Sequence, residues 1–378
     1  MKNSIKILIG VIILAVIVLL FTVFNNMTGN VVNNSETIKL GATLPLTGDL
    51  ASFGNGEKSA MEIAVKEVND NGGINGRKLE LIIEDTKCDA KEAVSVANKL
   101  INIEKVPVLV GEICSGSVLA MAPLAEQSKI ILFSTAASSP KITNAGDYIF
   151  RDYPSDSYQG KFAAEYAYNK LGKRKAGLIY MQIDYGIGVK DAFKKRFKEL
   201  GGEIVSEENF AQNAKDMRTQ LTKIKEASPD VIYFVGYNVE AITFIQQSKA
   251  LDINTQVVST ETFDDPSIIQ KVGDSANGII FVMLDAPLSD NFKKLMKDKT
   301  GSDQILIGSP NSYDAVHIIA DAMNKVGTDP TKIKNELYKI KDYQGVSGTI
   351  TFDSNGDLVS ANYMIKEIKN KEAIEINL

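Results

Sequence analysis

The sequence predicts an α/β protein with two doubly wound parallel-sheet lobes facing each other across a hinged cleft, preceded by an N-terminal transmembrane helix. Three observations carry this. Short β-branched runs alternate with helical stripes almost throughout the chain after residue 37, the pattern of parallel strands covered on both faces. The alternation comes in two sets, and 378 residues suit two cores of about 150 residues better than one. A near-continuous apolar run fills the N-terminus.

That run, Ile5 to Phe24 (IKILIGVIILAVIVLLFTVF), carries no charge after Lys6. Its about 18 apolar residues are enough to cross a hydrocarbon core of about 30 Å. It is longer than a secretory h-region, and Phe24-Asn25-Asn26-Met27 is not an A-x-A cleavage site. Residues 1–24 therefore read as an uncleaved signal-anchor. Lys2 and Lys6 stay cytoplasmic and the rest of the chain faces outward. No cysteine follows the span to take a lipid, so the alternative to anchorage is release by cleavage. Residues 25–36 (NNMTGNVVNNSE) read as a flexible polar linker. Their N-x-[ST] matches at Asn26 and Asn33 are as well explained by a merely polar segment as by glycosylation.

In the first set, Ile38–Leu44 reads as a strand, then a helix over Glu57–Asn69 with Met61, Ala64, Val65 and Val68 on one face. Asn71-Gly72-Gly73 ends it. Strand Leu79–Glu84 follows, then helix Lys91–Ile103 (stripe Ala93, Val96, Ala97, Leu100, Ile101), strand Val108–Val110, helix Ser117–Gln127 and strand Ile130–Phe133. The second set runs from helix Ser157–Leu171 through strand Ala176–Tyr180, helix Val189–Leu200, strand Glu203–Ser206, helix Met217–Glu226, strand Val231–Val235 and helix Glu240–Ala250 to strand Gln256–Ser259. Tyr313–Val326 and Lys332–Lys339 read as later helices, and Asn362–Ile376 as strands.

Composition narrows the function. With 44% apolar and 24% charged residues, a net charge of −5 and both signs interspersed, no stretch is basic enough to track a phosphate backbone, so no nucleic-acid partner is expected. There is no Walker sequence and no G-x-S-x-G elbow, and Gly186-Ile187-Gly188 lacks the third glycine of a dinucleotide fingerprint. The single histidine, His317, lies in a helical stripe and reads as structural. Asp264-Asp265 before Pro266 reads as a turn or helix cap. No nucleophile–base pair, metal set or cofactor motif stands out, so no enzyme, metal or cofactor is expected. Cys88 and Cys114, the two cysteines, each lie just beyond a strand, which brings them to one end of one sheet. An outward-facing domain lives where disulfides persist, and a bridge between them is expected.

Ligands of open α/β sheets bind beyond the carboxyl ends of strands. Three loops there are polar: Cys114-Ser115-Gly116-Ser117, Ser134-Thr135-Ala136-Ala137-Ser138-Ser139-Pro140 and Thr260-Glu261-Thr262. Hydroxyls and N–H groups at helix starts favour an anion, and a lone carboxylate opposite favours a cation. Together they could hold a zwitterion, although helix capping is the commoner role of such Ser and Thr.

At these loops the chain resembles the leucine/isoleucine/valine-binding protein family of type I periplasmic binding proteins, over about Ile38 to Leu358. The resemblance is carried by Pro45-Leu46-Thr47-Gly48 with Ala51 and Gly54, Asn71-Gly72-Gly73-Ile74-Asn75-Gly76, Asp85 with Cys88-Asp89, Ala97-Asn98-Lys99-Leu100, Gly111 with Cys114-Ser115-Gly116-Ser117, Tyr185-Gly186, and Phe352-Asp353 with Gly356-Asp357. It implies the substrate-binding protein of an ABC importer, with a free amino acid held between the lobes and ABC permease subunits as partners. The family's disulfide falls on Cys88 and Cys114. Its α-carboxylate site falls on Ser115, the Ala136 backbone and Ser138, where relatives often carry Thr. Its α-ammonium acceptor falls on Glu261. Cleft aromatics fall on Phe53, Tyr185 and Tyr237, and a side-chain pocket position on Ile113. Phe53 stands where Tyr or Trp is common, and with Ile113 it leans the ligand toward branched-chain or other apolar amino acids. Strand alternation with Ile113 turns Glu112 outward.

The expected organisation is therefore lobe 1 over residues 37–156 plus 285–363 and lobe 2 over 157–284 plus 364–378, with crossovers near 156, 285 and 363. A sensor ectodomain and an amide- or urea-binding relative of the same fold are the alternatives. The latter predicts that Glu261 and Ser115 do not converge on one ligand-sized gap.

Overall fold

The structure, a computed structural model, describes residues 37–376. The expected N-terminal span, the linker and its two sequons lie outside the described residues. Among the described residues no helix is long and apolar enough to cross a membrane.

Strands β1 (Ile38–Leu44), β2 (Leu79–Asp85), β3 (Val108–Gly111), β4 (Ile131–Ser134) and β5 (Ile149–Arg151) form a parallel sheet in the order β2-β1-β3-β4-β5. Helices α1 (Ala51–Asp70), α2 (Ala90–Asn102) and α3 (Ser115–Ser128) connect the first four strands. The central strands are apolar on consecutive residues because both faces are covered. Val108, Val110, Ile131 and Phe133 enter the core shared with Met61 and Ala64 of α1, whereas Leu109 and Leu132 enter the one shared with α2 and α3.

Helix α1 begins at Ala51, six residues before the expected start at Glu57. Two glycines, Gly54 and Gly56, hide its first two turns from propensity reasoning. Gly54 is there for a packing reason: a Cβ would lie 2.1 Å from the Pro45 carbonyl oxygen, so only glycine lets the helix start against the preceding loop. The second sheet repeats the device. Helix α5 (Asp184–Glu199) starts five residues before the expected Val189, and a Cβ on Gly186 would lie 2.1 Å from the Met181 carbonyl oxygen. The G-x-G fragment thus serves close strand–helix approach.

The chain leaves the first sheet through α4 (Asp156–Glu165), which ends in a π-helical turn. Strands β6 (Lys175–Met181), β7 (Glu203–Phe210), β8 (Val231–Val235), β9 (Gln256–Ser259) and β10 (Ile280–Leu284) are parallel, interleaved with α5, α6 (Arg218–Ala227), α7 (Asn238–Ala250) and α8 (Pro266–Val272). Stacked aromatics fill this core, with Phe193 over Tyr233 at 4.1 Å and Phe234 over Phe244 at 4.3 Å. The chain then returns to the first core through α9 (Asp290–Thr300), α10 (Ser309–Val326), α11 (Pro330–Leu337) and a short hairpin of β11 (Tyr343–Gln344) and β12 (Thr349–Ile350). His317 of α10 meets Glu67 at 3.1 Å and packs on Tyr313, a structural placement.

The last two strands correct the expectation of purely parallel sheets. β13 (Tyr363–Lys369) runs antiparallel to β10, and β14 (Glu372–Ile376) antiparallel to β13, completing the order β14-β13-β10-β9-β8-β6-β7. Asn370 and Lys371, both at positive φ (52° and 68°), make a two-residue turn. So short a connection joins antiparallel strands and not parallel ones.

Cys88 and Cys114 are joined, with Cα atoms 5.5 Å apart. They are 26 residues apart in sequence, and closing such a loop stabilises by roughly 3–4 kcal/mol in the chain-entropy model. Cys88→Ser is expected to lower the melting temperature by on the order of 5–10 °C. Calorimetry with and without reductant measures this, and wild type should fall to the mutant's value once reduced. A shift below a degree would remove the bridge as a stabilising element.

Candidate functional site

The carboxyl ends of β3, β4, β6, β8 and β9 converge on a hollow between the two sheets. Its wall comprises Leu50, Phe53, Ile113, Ala136, Ser138, Tyr185, Tyr237, Glu261, Thr262 and Ile307. Seven of the eight expected positions therefore share one space. Ser115 does not line it: its hydroxyl, buried at the start of α3, accepts the Ser139 N–H at 3.1 Å. It supports the neighbouring loop and faces that backbone.

That loop, after β4, is cross-tied. The Ser134 hydroxyl donates to the Glu112 carbonyl at 3.0 Å and accepts the Ala137 N–H at 3.1 Å. Thr135 donates to Glu57 at 2.9 Å. Arg151, with no exposed surface, donates to the Ser139 carbonyl at 2.9 Å while gripping Asp357. Ala136 and Ser138 are thus presented by a loop held from beneath.

The opposite side is held equally firmly. Tyr185 and Tyr237 stack at 5.5 Å. The Tyr185 hydroxyl donates to Thr260 at 2.8 Å, and Thr262 donates to the Gly236 carbonyl at 3.0 Å, bracketing Glu261. Glu261 is 5% exposed and its Oε2 has no partner among the described residues. Burial pushes its carboxyl up to about 7, with its own backbone N–H and the Tyr153 hydroxyl countering. Such a group gains most from an incoming cation.

Glu112 stays out of the hollow while Ile113 lines it, as expected, but strand alternation is not the reason. Strand β3 ends at Gly111, so alternation does not reach it. Glu112 adopts φ 75°, is fully buried, and turns its carboxyl back to accept the Cys114 N–H at 2.9 Å. Burial raises it to about 7.

Sequence reasoning did not single out Leu50, Ile307, Tyr153 or Asp156. Ile307 lies in a loop without a motif. Asp156 opens α4 in the first crossover and is fully enclosed; burial and then the charge of Glu261 push it up, and the Ser138 hydroxyl offsets part of this. The Ser-Asp of Pro154-Ser155-Asp156 reads as a helix cap, which conceals a buried carboxyl.

Contacts join the two sheets' elements across the hollow. Ser52 of α1 donates to Asp265 at 2.7 Å, an oxygen that also accepts Asn238 at 2.6 Å. Lys141 pairs with Asp184 at 2.7 Å. Asp265 caps α8 through the Ser267 N–H, and Asp264 pairs with Lys366, as a structural reading of that pair requires. Among the described residues no group of three His, Cys, Asp or Glu could hold a metal.

Two α/β sheets, three chain crossovers and a polar-ended hollow between strand termini define a two-lobed binding protein of the kind that encloses a small ligand. The chain belongs to the periplasmic binding protein family, whose profile matches residues 37–373. It is 28% identical to the leucine-, isoleucine-, valine-, threonine- and alanine-binding protein of Pseudomonas aeruginosa, over 88% of this chain and 90% of that one. It superposes on the leucine-binding protein LivK of Thermotoga maritima with a TM-score of 0.84, at 28% identity, covering 90% and 98% of the two chains. The isoleucine complex of the branched-chain amino acid transporter substrate-binding protein LivJ of Streptococcus pneumoniae gives 0.81 at 29% identity, covering 90% and 100%.

Proposed function

We propose that this protein is the extracytoplasmic substrate-binding component of an ABC importer and that it takes a free amino acid, branched-chain or otherwise apolar, between its lobes. The observation that carries the reading is that Glu261 and the Ala136–Ser138 loop face one hollow. A zwitterion's carboxylate meets the Ala136 backbone and the Ser138 hydroxyl, its ammonium meets Glu261, and Ser115 braces the loop. Phe53, Ile113, Tyr185 and Tyr237 exclude water and cover the side chain. Charge-assisted hydrogen bonds at both poles reject ligands lacking one end. The similarity to proteins whose names specify leucine, isoleucine and valine supports the apolar preference.

The crossovers near 156, 285 and 363 serve as the hinge; the Asp285 N–H donates to the Asn362 carbonyl at 2.9 Å, coupling two of them. Closure presents a joint surface of lobes 37–156 plus 285–363 and 157–284 plus 364–378 to permease subunits, without covalent chemistry. The uncharged apolar run from residue 7 to residue 24 supports attachment of the protein to a membrane at its N-terminal end.

A thermal-shift screen against the twenty amino acids, urea and simple amides tests the reading. At 100 times its dissociation constant the right ligand adds about 2.7 kcal/mol of stability. Stabilisation by urea or an amide, with none by any amino acid, would replace this reading with the amide-binding one.

A further inference from the structure

We propose that Glu57 is a positioning residue for the ligand's carboxylate: its buried carboxyl, by accepting the Thr135 hydroxyl, fixes the loop that presents Ala136 and Ser138. The inference rests on the amino-acid reading above for the ligand, but its geometry stands on its own. Glu57 lies in α1, has no exposed surface, and lines no part of the hollow. Its Oε1 takes the Thr135 hydroxyl at 2.9 Å, one residue from Ala136 and three from Ser138. The start of α10 closes over it: Gly308, at φ 79°, approaches so near that a Cβ would lie 2.0 Å from Oε1. Its Oε2 has no partner among the described residues. A carboxyl so enclosed, contacting one hydroxyl of one loop, acts on the site through that loop.

The charge state follows from the surroundings. Glu112 faces it from the end of β3 and Asp152 from the end of β5, with Asp314 of α10 acting in turn on Asp152; all are acids. Burial first, and Glu112 second among the raising influences, push Glu57 up to about 8, against the Thr135 hydroxyl. At neutral pH it is the uncharged acid, which accepts from Thr135 without opposing an arriving carboxylate. Above about 8 it ionises, and a second buried negative charge beneath the anion pole weakens binding.

Two measurements on the full-length protein test this together. Hydrogen-exchange mass spectrometry of the ligand-free protein reads the 134–139 segment. Calorimetric titration with L-leucine reads affinity. Glu57→Ala and Thr135→Val are expected to speed exchange in that segment and to weaken binding about tenfold, and the double variant to be no worse than either single one. Glu57→Gln, which keeps the acceptor, is expected to restore both readouts at pH 6.5. As pH rises to 9, wild type should lose affinity relative to Glu57→Gln. That ratio cancels Glu261, which both proteins share, and retains the Glu57 charge together with its coupling to Glu112 and Asp152. Unchanged exchange in Glu57→Ala, additive effects in the double variant, or a flat ratio would each overturn the role. If exchange responds as expected while neither L-leucine nor any other of the twenty amino acids binds wild type, the amino-acid reading fails and the loop-positioning role stands.

Discussion

Glu261→Ala is expected to abolish stabilisation by any amino acid while leaving the ligand-free protein at least as stable as wild type. The ammonium end would then be buried without a partner, a loss of roughly 2–5 kcal/mol, or about 30- to 5,000-fold in affinity. The stability half follows from the sign of the shift. Burial holds Glu261 at about 7 in the folded protein, against an ordinary 4.5. A carboxyl raised on folding costs stability as pH climbs from the ordinary value through the folded one, so alanine relieves a cost present at pH 7 and above. An ammonium partner favours the charged form, so binding near pH 6 releases protons, and affinity rises toward pH 8 on this group's account. Calorimetry in two buffers of different ionisation enthalpy measures the release. A ligand-induced shift retained in Glu261→Ala would remove the ammonium assignment.

Asp357→Ala is expected to destabilise the protein by about 3–5 kcal/mol, because it strands a fully buried guanidinium. Arg151 donates Nε and Nη2 to the two Asp357 oxygens, both at 2.7 Å, and Nη2 also reaches Thr143 at 3.0 Å. Its Nη1 carries the Ser139 carbonyl. The pair thus joins β5, the loop after β4 and a segment more than 200 residues later in the chain. Replacing both partners with apolar residues, as in Arg151→Met with Asp357→Ala, is expected to cost less than the single change, because no charge is left unpaired. Denaturant unfolding of the two variants measures the difference. A single-variant loss under about 1 kcal/mol would show that water reaches Arg151.

Strands β1, β8 and β9 coincide with the expected Ile38–Leu44, Val231–Val235 and Gln256–Ser259. Each is a short run bounded by polar or turn residues, with enough β-branched side chains for period and propensity to agree. By contrast β5, three residues long, and the β11–β12 hairpin are too short for periodicity to register. Helix α9 was not anticipated because it is lysine-rich and buries just Phe292 and Met296. Starts of α1 and α5 were missed where glycines, poor helix formers, are demanded by a carbonyl approaching from the preceding strand's end.

The site divides the same way. Residue types in three loops pointed to hydroxyls at one pole and a carboxylate at the other, since each is a local choice visible in the chain, whereas the aromatics came from the family resemblance alone. Where those side chains point was not local. Ser115 turns to the Ser139 backbone, Glu112 folds under Cys114, and Glu57, Tyr153 and Asp156 come to surround the ligand loops from elements far apart in sequence. The alternating pattern and the motif residues thus determined by themselves that this is a two-sheet α/β protein with polar loops at its strand ends. Tertiary packing alone decided which of its many acids lose water, and so which are raised above the ordinary carboxylate range, because desolvation is a property of the enclosure and not of the residue.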